Sequence, residues 1–415
     1  MNSLVIRHGR IVTPEGICRG DLLVSDGKIA ELRPAEVASR CPAGASAGTG
    51  GDRLAAVHEL DAGGAFVVPG FIDVHVHGAG GADPMCGDPA SLQSMARTLA
   101  SWGVTAFLAT TMTAPLPDLF RALENIATAR ERSRQPGWGG ASILGAHCEG
   151  PYFNPRRCGA QPIDHLRQPD LGEVRELYAA GHVSLRIMSL APELPGALPV
   201  IEWLVSHGVV VGAAHSAATW DEAERAVEAG LSHATHLFNA MRPLHHREPG
   251  VAGLALTDDR IWVEVIADGQ HLHPAVVRLA WRAKGPARMG IVTDLTQLAG
   301  LPPGKYTFSG QEVTLTADAA TLSEAGGLAG SVTPACRVFR NLLSWGFGPV
   351  EAATLMSYNP ARRMGIEDRK GSITPGKDAD LVIVKESGDV VTTIVGGEPV
   401  YLAKGAKQPY SRSPG

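Results

Sequence analysis

The sequence predicts an α/β protein: a TIM-like (β/α)8 barrel with a small β-sandwich domain built from both chain termini. Three observations predict it. Eight apolar β runs alternate with helical stretches between about residues 66 and 371. Several of those runs are almost wholly apolar, as parallel strands buried on both faces are. The two ends of the chain read as short strands, with too little apolar material at the N-terminal end for a core of its own.

Taken in order, residues 1–65 hold Leu4–Arg7, Arg10–Val12, Asp21–Val24 and Lys28–Ala30 as short strands, with turn signals at Pro14–Gly16 and Asp26-Gly27. The Ala/Gly/Ser-rich stretch 34–53 reads as a flexible surface loop. Residues 372–415 supply matching strands at Ala379–Val384, Val390–Val395 and Pro399–Leu402, with a Gly396-Gly397 hairpin signal. We therefore expect 1–65 plus 372–415 to form one β domain and 66–371 to form the catalytic barrel.

The barrel strands are expected at 66–77, Thr105–Thr110, Ser142–Glu149, Ser184–Leu190, Val209–His215, His233–Asn239, Trp262–Ala267 and Gly290–Asp294. Helices are expected between them at Leu92–Ser101, Pro117–Arg130, Gly172–Ala180, Trp220–Ala229 and Ala275–Ala283. Thr219-Trp-Asp-Glu222 is a capping box that opens one of these helices, with Gly230 to close it. A doubly wound sheet is the alternative arrangement of the same pattern.

In a barrel of this kind, chemistry gathers at the C-terminal strand ends. Those ends carry His75 and His77, His147 and Glu149, His215, His236 and Asn239, Asp268 and His271, and Asp294. His75 and His77 are two residues apart, so they face one side of their strand, which suits two ligands of one metal ion. A mixed set of imidazoles and carboxylates favours Zn, Fe, Mn or Co over an all-oxygen Mg or Ca site. Such an ion activates water and polarises a carbonyl, and a carboxylate outside its ligands then moves the proton. Asp294 is the candidate for that acid/base role, Glu149 being the better ligand. The reaction class is hydrolysis of a carbon–nitrogen bond, or of an ester.

Composition sets bounds on partners. Hydrophobic residues make up 44% and charged residues 19%, as in an ordinary globular protein, and the formal net charge of −5 gives no footprint for nucleic acid or an anionic membrane. The six cysteines are scattered without a CxxC pair, which fits a reducing compartment better than a disulfide scaffold. The opening MNSLVIRHGRIVTPEG has no apolar core of signal-peptide length, and no run reaches the roughly 18 apolar residues of a membrane span. The chain reads as cytoplasmic.

The motifs PGFIDVHVHG (69–78), HCEGPYFNPRRCGAQP (147–162), AHSAAT (214–219), ATHLFNAM (234–241), REPGVAG (247–253), ADGQH (267–271), VTD (292–294), LAGS (328–331) and GSITPGKDADLVIV (371–384) resemble the N-acetylglucosamine-6-phosphate deacetylases of the amidohydrolase superfamily. The resemblance implies hydrolysis of the acetamide of N-acetyl-D-glucosamine 6-phosphate. It implies a metal site at Glu149, His215 and His236, with zinc first and iron, cobalt or manganese as alternatives. The acid/base would be Asp294. Ala160, Gln161, Asn239, Ala240, Asp268, His271, Leu328, Ala329 and Gly330 would line the sugar-phosphate pocket. Arg247 would bind the phosphate, reaching the active site of the partner in a homodimer. His75 and His77 then become ligands of a second ion that shares Glu149, giving one or two ions per subunit. Common members read GHSNA where this chain reads AHSAA, and Leu295 also departs from them, so Ala217 and Leu295 are the positions expected to tune substrate preference. The alternatives are an N-acetylgalactosamine-6-phosphate deacetylase, a deacylase of another N-acyl compound and a non-catalytic relative.

Overall fold

The computed structural model describes residues 3–35, 57–324, 326–405 and 410–412. Strands β1 (Ser3–Thr13), β2 (Gly16–Ser25) and β3 (Lys28–Pro34) form an antiparallel meander. The two short strands expected at 4–7 and 10–12 are thus one strand, carried past an irregularity between Ile6 and Gly9. Most of the expected loop at 34–53 lies outside the described residues. Strands β4 (Val57–Asp61) and β5 (Phe66–Pro69) run parallel to β1.

The apolar run at 66–77 is two strands. It leaves the first sheet as β5 and enters the barrel as β6 (Phe71–Val76). Gly70 sits at the handover, where a Cβ would stand 2.1 Å from Thr105 Oγ1. The continuous apolar run hides the change of sheet because both strands are buried throughout.

From β6 the barrel continues through β7 (Val104–Thr110), β8 (Ser142–Glu149), β9 (Leu185–Leu190), β10 (Val210–Ala213), β11 (His233–Ala234), β12 (Trp262–Ile266) and β13 (Met289–Val292), each parallel to the next. The ring closes without a regular ladder. Asp294 N–H donates to the His75 carbonyl at 3.0 Å, while the Thr293 N–H and hydroxyl both donate to the buried Asp73 carboxylate. The strand expected at 233–239 stops at Ala234, and the chain then turns through positive φ at His236, Phe238 and Ala240. All five expected helices are present. The capping box holds as read: Thr219 Oγ1 accepts from Glu222 N–H, and the Glu222 carboxylate accepts from Thr219 N–H at 2.8 Å. Such caps stabilise by about 0.5–2 kcal/mol.

Two parts complete the fold. Strands β14 (Gly304–Phe308), β15 (Gln311–Leu315) and β16 (Ala320–Leu322) make an antiparallel sheet that the sequence reading did not anticipate. They stand at the barrel mouth, where the Gln311 amide donates to the Ala160 carbonyl at 3.1 Å. Strands β17 (Leu381–Val384), β18 (Val390–Val395) and β19 (Glu398–Leu402) then join the first sheet through β5, and β20 (Tyr410–Arg412) pairs with β4. The result is a nine-stranded sheet made from both ends of the chain. Among the described residues no helix is long and apolar enough to cross a membrane. Cys18 is disulfide-bonded, where the scattered cysteines gave no reason to expect a bridge.

Candidate active site

Of the strand-end residues singled out in the sequence, His77, Glu149, His215, His236, Asn239, His271 and Asp294 line one cavity, and two donor sets meet there. In the first, Glu149 Oε1 lies 3.0 Å from His236 Nε2 and 3.4 Å from His215 Nε2, and the two imidazole nitrogens are 3.2 Å apart. In the second, His75 Nε2 is 3.1 Å from His77 Nε2, and each lies 3.4 Å from Asp294 Oδ1. Glu149 belongs to both sets, since its Oε2 is 3.3 Å from His77 Nε2. All six side chains are buried.

These spacings match what a divalent cation requires. The edge of a tetrahedron with bonds of roughly 2.0–2.1 Å is about 3.3 Å long. Lone pairs that converge this closely repel one another, whereas a cation serves them all at once. The buried Nδ1 atoms of His77 and His236 also have no hydrogen-bond partner among the described residues. His215 (φ 47°), His236 (φ 35°) and Asp294 (φ 52°) hold left-handed backbone that non-glycine residues avoid. Strain repeated at three strand ends is what a built site looks like.

Above the donors opens a cavity of about 480 Å³. Ala160, Gln161, Asn239, Ala240, His271, Leu328 and Gly330 line it, together with Phe308 and Leu322 of the mouth sheet. Ala329 is fully buried beside it rather than on its wall, and Asp268 also lies off the wall, its carboxylate accepting from His271 Nδ1 at 2.7 Å. Arg247 is exposed and does not reach the cavity of its own chain. Arg156 and Arg157, which the sequence reading passed over inside their motif, do line it.

The amidohydrolase family model matches residues 66–400. The chain belongs to the amidohydrolase family. It is 38% identical to the N-acetylglucosamine-6-phosphate deacetylase of Bacillus subtilis (strain 168) over 98% of this chain and 99% of that one. It is 39% identical to the N-acetylgalactosamine-6-phosphate deacetylase of Escherichia coli O157:H7, over 91% and 94%. The crystal structure of N-acetyl-D-glucosamine-6-phosphate deacetylase from Mycobacterium smegmatis superposes with a TM-score of 0.85 at 31% identity, covering 97% of this chain and 100% of that one.

Charge in this amidohydrolase is arranged around the donors. Burial pushes the Glu149 carboxyl up, but His75, His215, His236 and His77 outweigh it and hold it well below the usual range. Asp294 is also lowered, because His75 and His77 outweigh its desolvation. His271 is raised: burial works against its charged form, but the bond to Asp268 prevails. Gln161 clamps Glu149 in place, donating to Oε2 at 2.6 Å while its own oxygen accepts from Thr113 N–H at 2.8 Å. His147 takes no part in either set; it bonds Ser189 Oγ at 2.7 Å, and burial pushes it down to about 3.

The two positions expected to tune substrate preference lie outside the cavity wall. Ala217 is held by its N–H to the Glu193 carboxylate at 2.6 Å. Leu295 is fully buried, and its carbonyl accepts from His77 N–H and Gly78 N–H. Neither side chain faces the cavity. Glu264 and His233 were missed altogether. A glutamate inside the apolar run Trp262-Val-Glu-Val-Ile266 was the available signal, since a wholly buried carboxylate requires partners.

Proposed function

We propose that this amidohydrolase is a metal-dependent deacetylase that hydrolyses N-acetyl-D-glucosamine 6-phosphate to D-glucosamine 6-phosphate and acetate. The observation that carries this reading is Asp294 at the floor of a sugar-sized cavity, beside a Glu149/His215/His236 donor set, in a chain related over its full length to such deacetylases. Glu149, His215 and His236 would hold a divalent cation, with zinc first among zinc, iron, cobalt and manganese. His75 and His77 would serve a second cation through the shared Glu149, with Asp294 Oδ1 beside them. Such a cation supplies Lewis acidity toward the amide oxygen and acidifies water.

The chain's own residues do the rest. Asp294 accepts a proton from the attacking water as its oxygen bonds the carbonyl carbon. It then returns the proton to the nitrogen as the C–N bond breaks, releasing acetate and a free amine. His271, oriented by the bond from its Nδ1 to Asp268, donates to the developing oxyanion. Ala160, Gln161, Asn239, Ala240, Leu328, Ala329 and Gly330 shape the sugar pocket. Arg247 suits bidentate phosphate recognition, is exposed and has no side-chain partner among the described residues, so we assign it to the cavity of a second copy in a homodimer. We read residues 66–371 as the catalytic domain, and 1–65 with 372–415 as the β domain that braces it. We read the enzyme as cytoplasmic, because a doubly charged sugar phosphate does not cross a bilayer unaided.

The second reading is the galactosamine epimer, favoured by the Escherichia coli relative. Acetate release from both N-acetylhexosamine 6-phosphates, by protein of measured metal content, tests the assignment. Faster release from the gluco epimer is the expected result. Release from neither compound by metal-loaded protein would overturn it.

A further inference from the structure

Behind the donor sets lies a buried polar chain that the proposed reaction does not use. Arg363 Nε donates to His233 Nδ1 at 3.3 Å. His233 Nε2 faces Glu264 Oε1 at 2.7 Å, and Glu264 Oε2 faces His75 Nδ1 at 2.8 Å. Oε2 also accepts from the backbone N–H of His236 at 3.2 Å. His75, His233 and Glu264 are completely buried, and Arg363 is anchored by donating from Nη2 to the carbonyl and hydroxyl of Ser232.

Hydrogen-bond chemistry gives this chain a single direction. Arginine has donors and no acceptor. His233 must therefore accept at Nδ1 and carry its proton on Nε2. That proton goes to Glu264, which as a carboxylate accepts on both oxygens. His75 must then carry its proton on Nδ1, and its Nε2 lone pair is left to face His77, Asp294 and Glu149. An outer carboxylate that fixes a tautomer and raises the donor strength of an imidazole is the usual companion of a metal-ligating histidine.

We infer that Glu264, oriented by His233 and Arg363, is a positioning residue that commits His75 to a second cation beside the one at Glu149, His215 and His236. The inference rests on the metal-dependent reading above. Through the His236 backbone the same oxygen also ties the two donor sets together.

Glu264→Gln tests it with little change of shape. An amide cannot accept at both ends. If its oxygen faces His233, its NH2 faces His75 Nδ1 and drives the His75 proton onto Nε2, where a ligand lone pair is needed. If it turns over, two N–H groups collide at His233. Wild type and variant are loaded with zinc, desalted and assayed for metal per chain and for the rate of metal release to a chelator. Two ions in wild type and one in Glu264→Gln is the expected result, with Glu264→Asp recovering part of the second. Arg363→Met, which leaves Glu264 in place, is expected to speed release of the second ion about 10–100-fold and leave the first unchanged. Should Glu264→Gln fail to fold, this variant decides alone. Two equally retained ions in wild type and variants would overturn this inference and leave the proposed reaction standing, as would one ion in active wild type. Wild type that takes up no metal would overturn both.

Discussion

Replacing Asp294 by Asn separates proton transfer from metal binding. The substitution keeps the shape of the side chain at the floor of the cavity and removes its basicity. A positioned general acid/base contributes about 10²–10⁴-fold, and here one carboxylate serves both the attacking water and the leaving amine. At 1.36 kcal/mol per decade this is about 3–5 kcal/mol of barrier. The first donor set does not include Asp294: its three atoms lie 3.0–3.4 Å from one another without it. Asp294→Asn is therefore expected to lower kcat by two to four decades, to change KM little, and to retain the ion of that set. Initial rates of acetate release and metal analysis on the same preparation read both quantities. Loss of all metal, or a kcat within tenfold of wild type, would refute the assignment of Asp294 as acid/base.

Arg247→Ala is expected to raise KM for the phosphorylated sugar at least tenfold and to leave the plain N-acetyl sugar unaffected. If Arg247 serves the neighbouring copy, mixing Arg247→Ala with Asp294→Asn restores a minor population of working sites, read as recovered activity on subunit exchange. His271 is raised above its ordinary value, burial working against its charged form and the bond to Asp268 prevailing, so the charged form survives to higher pH than in a free imidazole and is lost as pH rises through the raised value. Asp268→Asn removes that support and is expected to move the alkaline limb of kcat toward lower pH, measured as a pH–rate profile. Gly70→Ala would drive a methyl to 2.1 Å from Thr105 Oγ1 in a buried strand pair, with an expected loss of ~1–3 kcal/mol read as a lower Tm.

How legible the fold was depended on where the signal lay. The barrel strands were plain because parallel strands buried on both faces need no polar alternation and show as apolar blocks. The same property concealed the handover at Gly70, where one block serves two sheets. Strands β14 to β16 were passed over because their exposed faces carry Lys305, Thr307, Glu312 and Thr314, which mask a short strand among turn residues. The donors were visible as polar residues at strand ends. Their grouping into two sets joined by Glu149 was not, since pairing across the ring is set by three-dimensional closure and not by spacing. Glu264 and Arg363 are 99 positions apart by their residue numbers, and only the fold brings them into one line of hydrogen bonds.

The way β5 is held has a consequence for how the molecule is made. Val68 of β5 pairs with Val382 of β17, a separation of 382 − 68 = 314 positions. Two residues beyond β5 begins the strand that delivers His75 and His77. During synthesis all eight barrel strands are available before β17 exists, yet the root of the first one has no antiparallel neighbour until that late segment arrives. Long-range pairing of this kind is slow to form. The sheet thus couples the two ends of the chain: without residues 381–384, β5 would keep only β1 as a neighbour and present an open edge just before the strand that delivers His75.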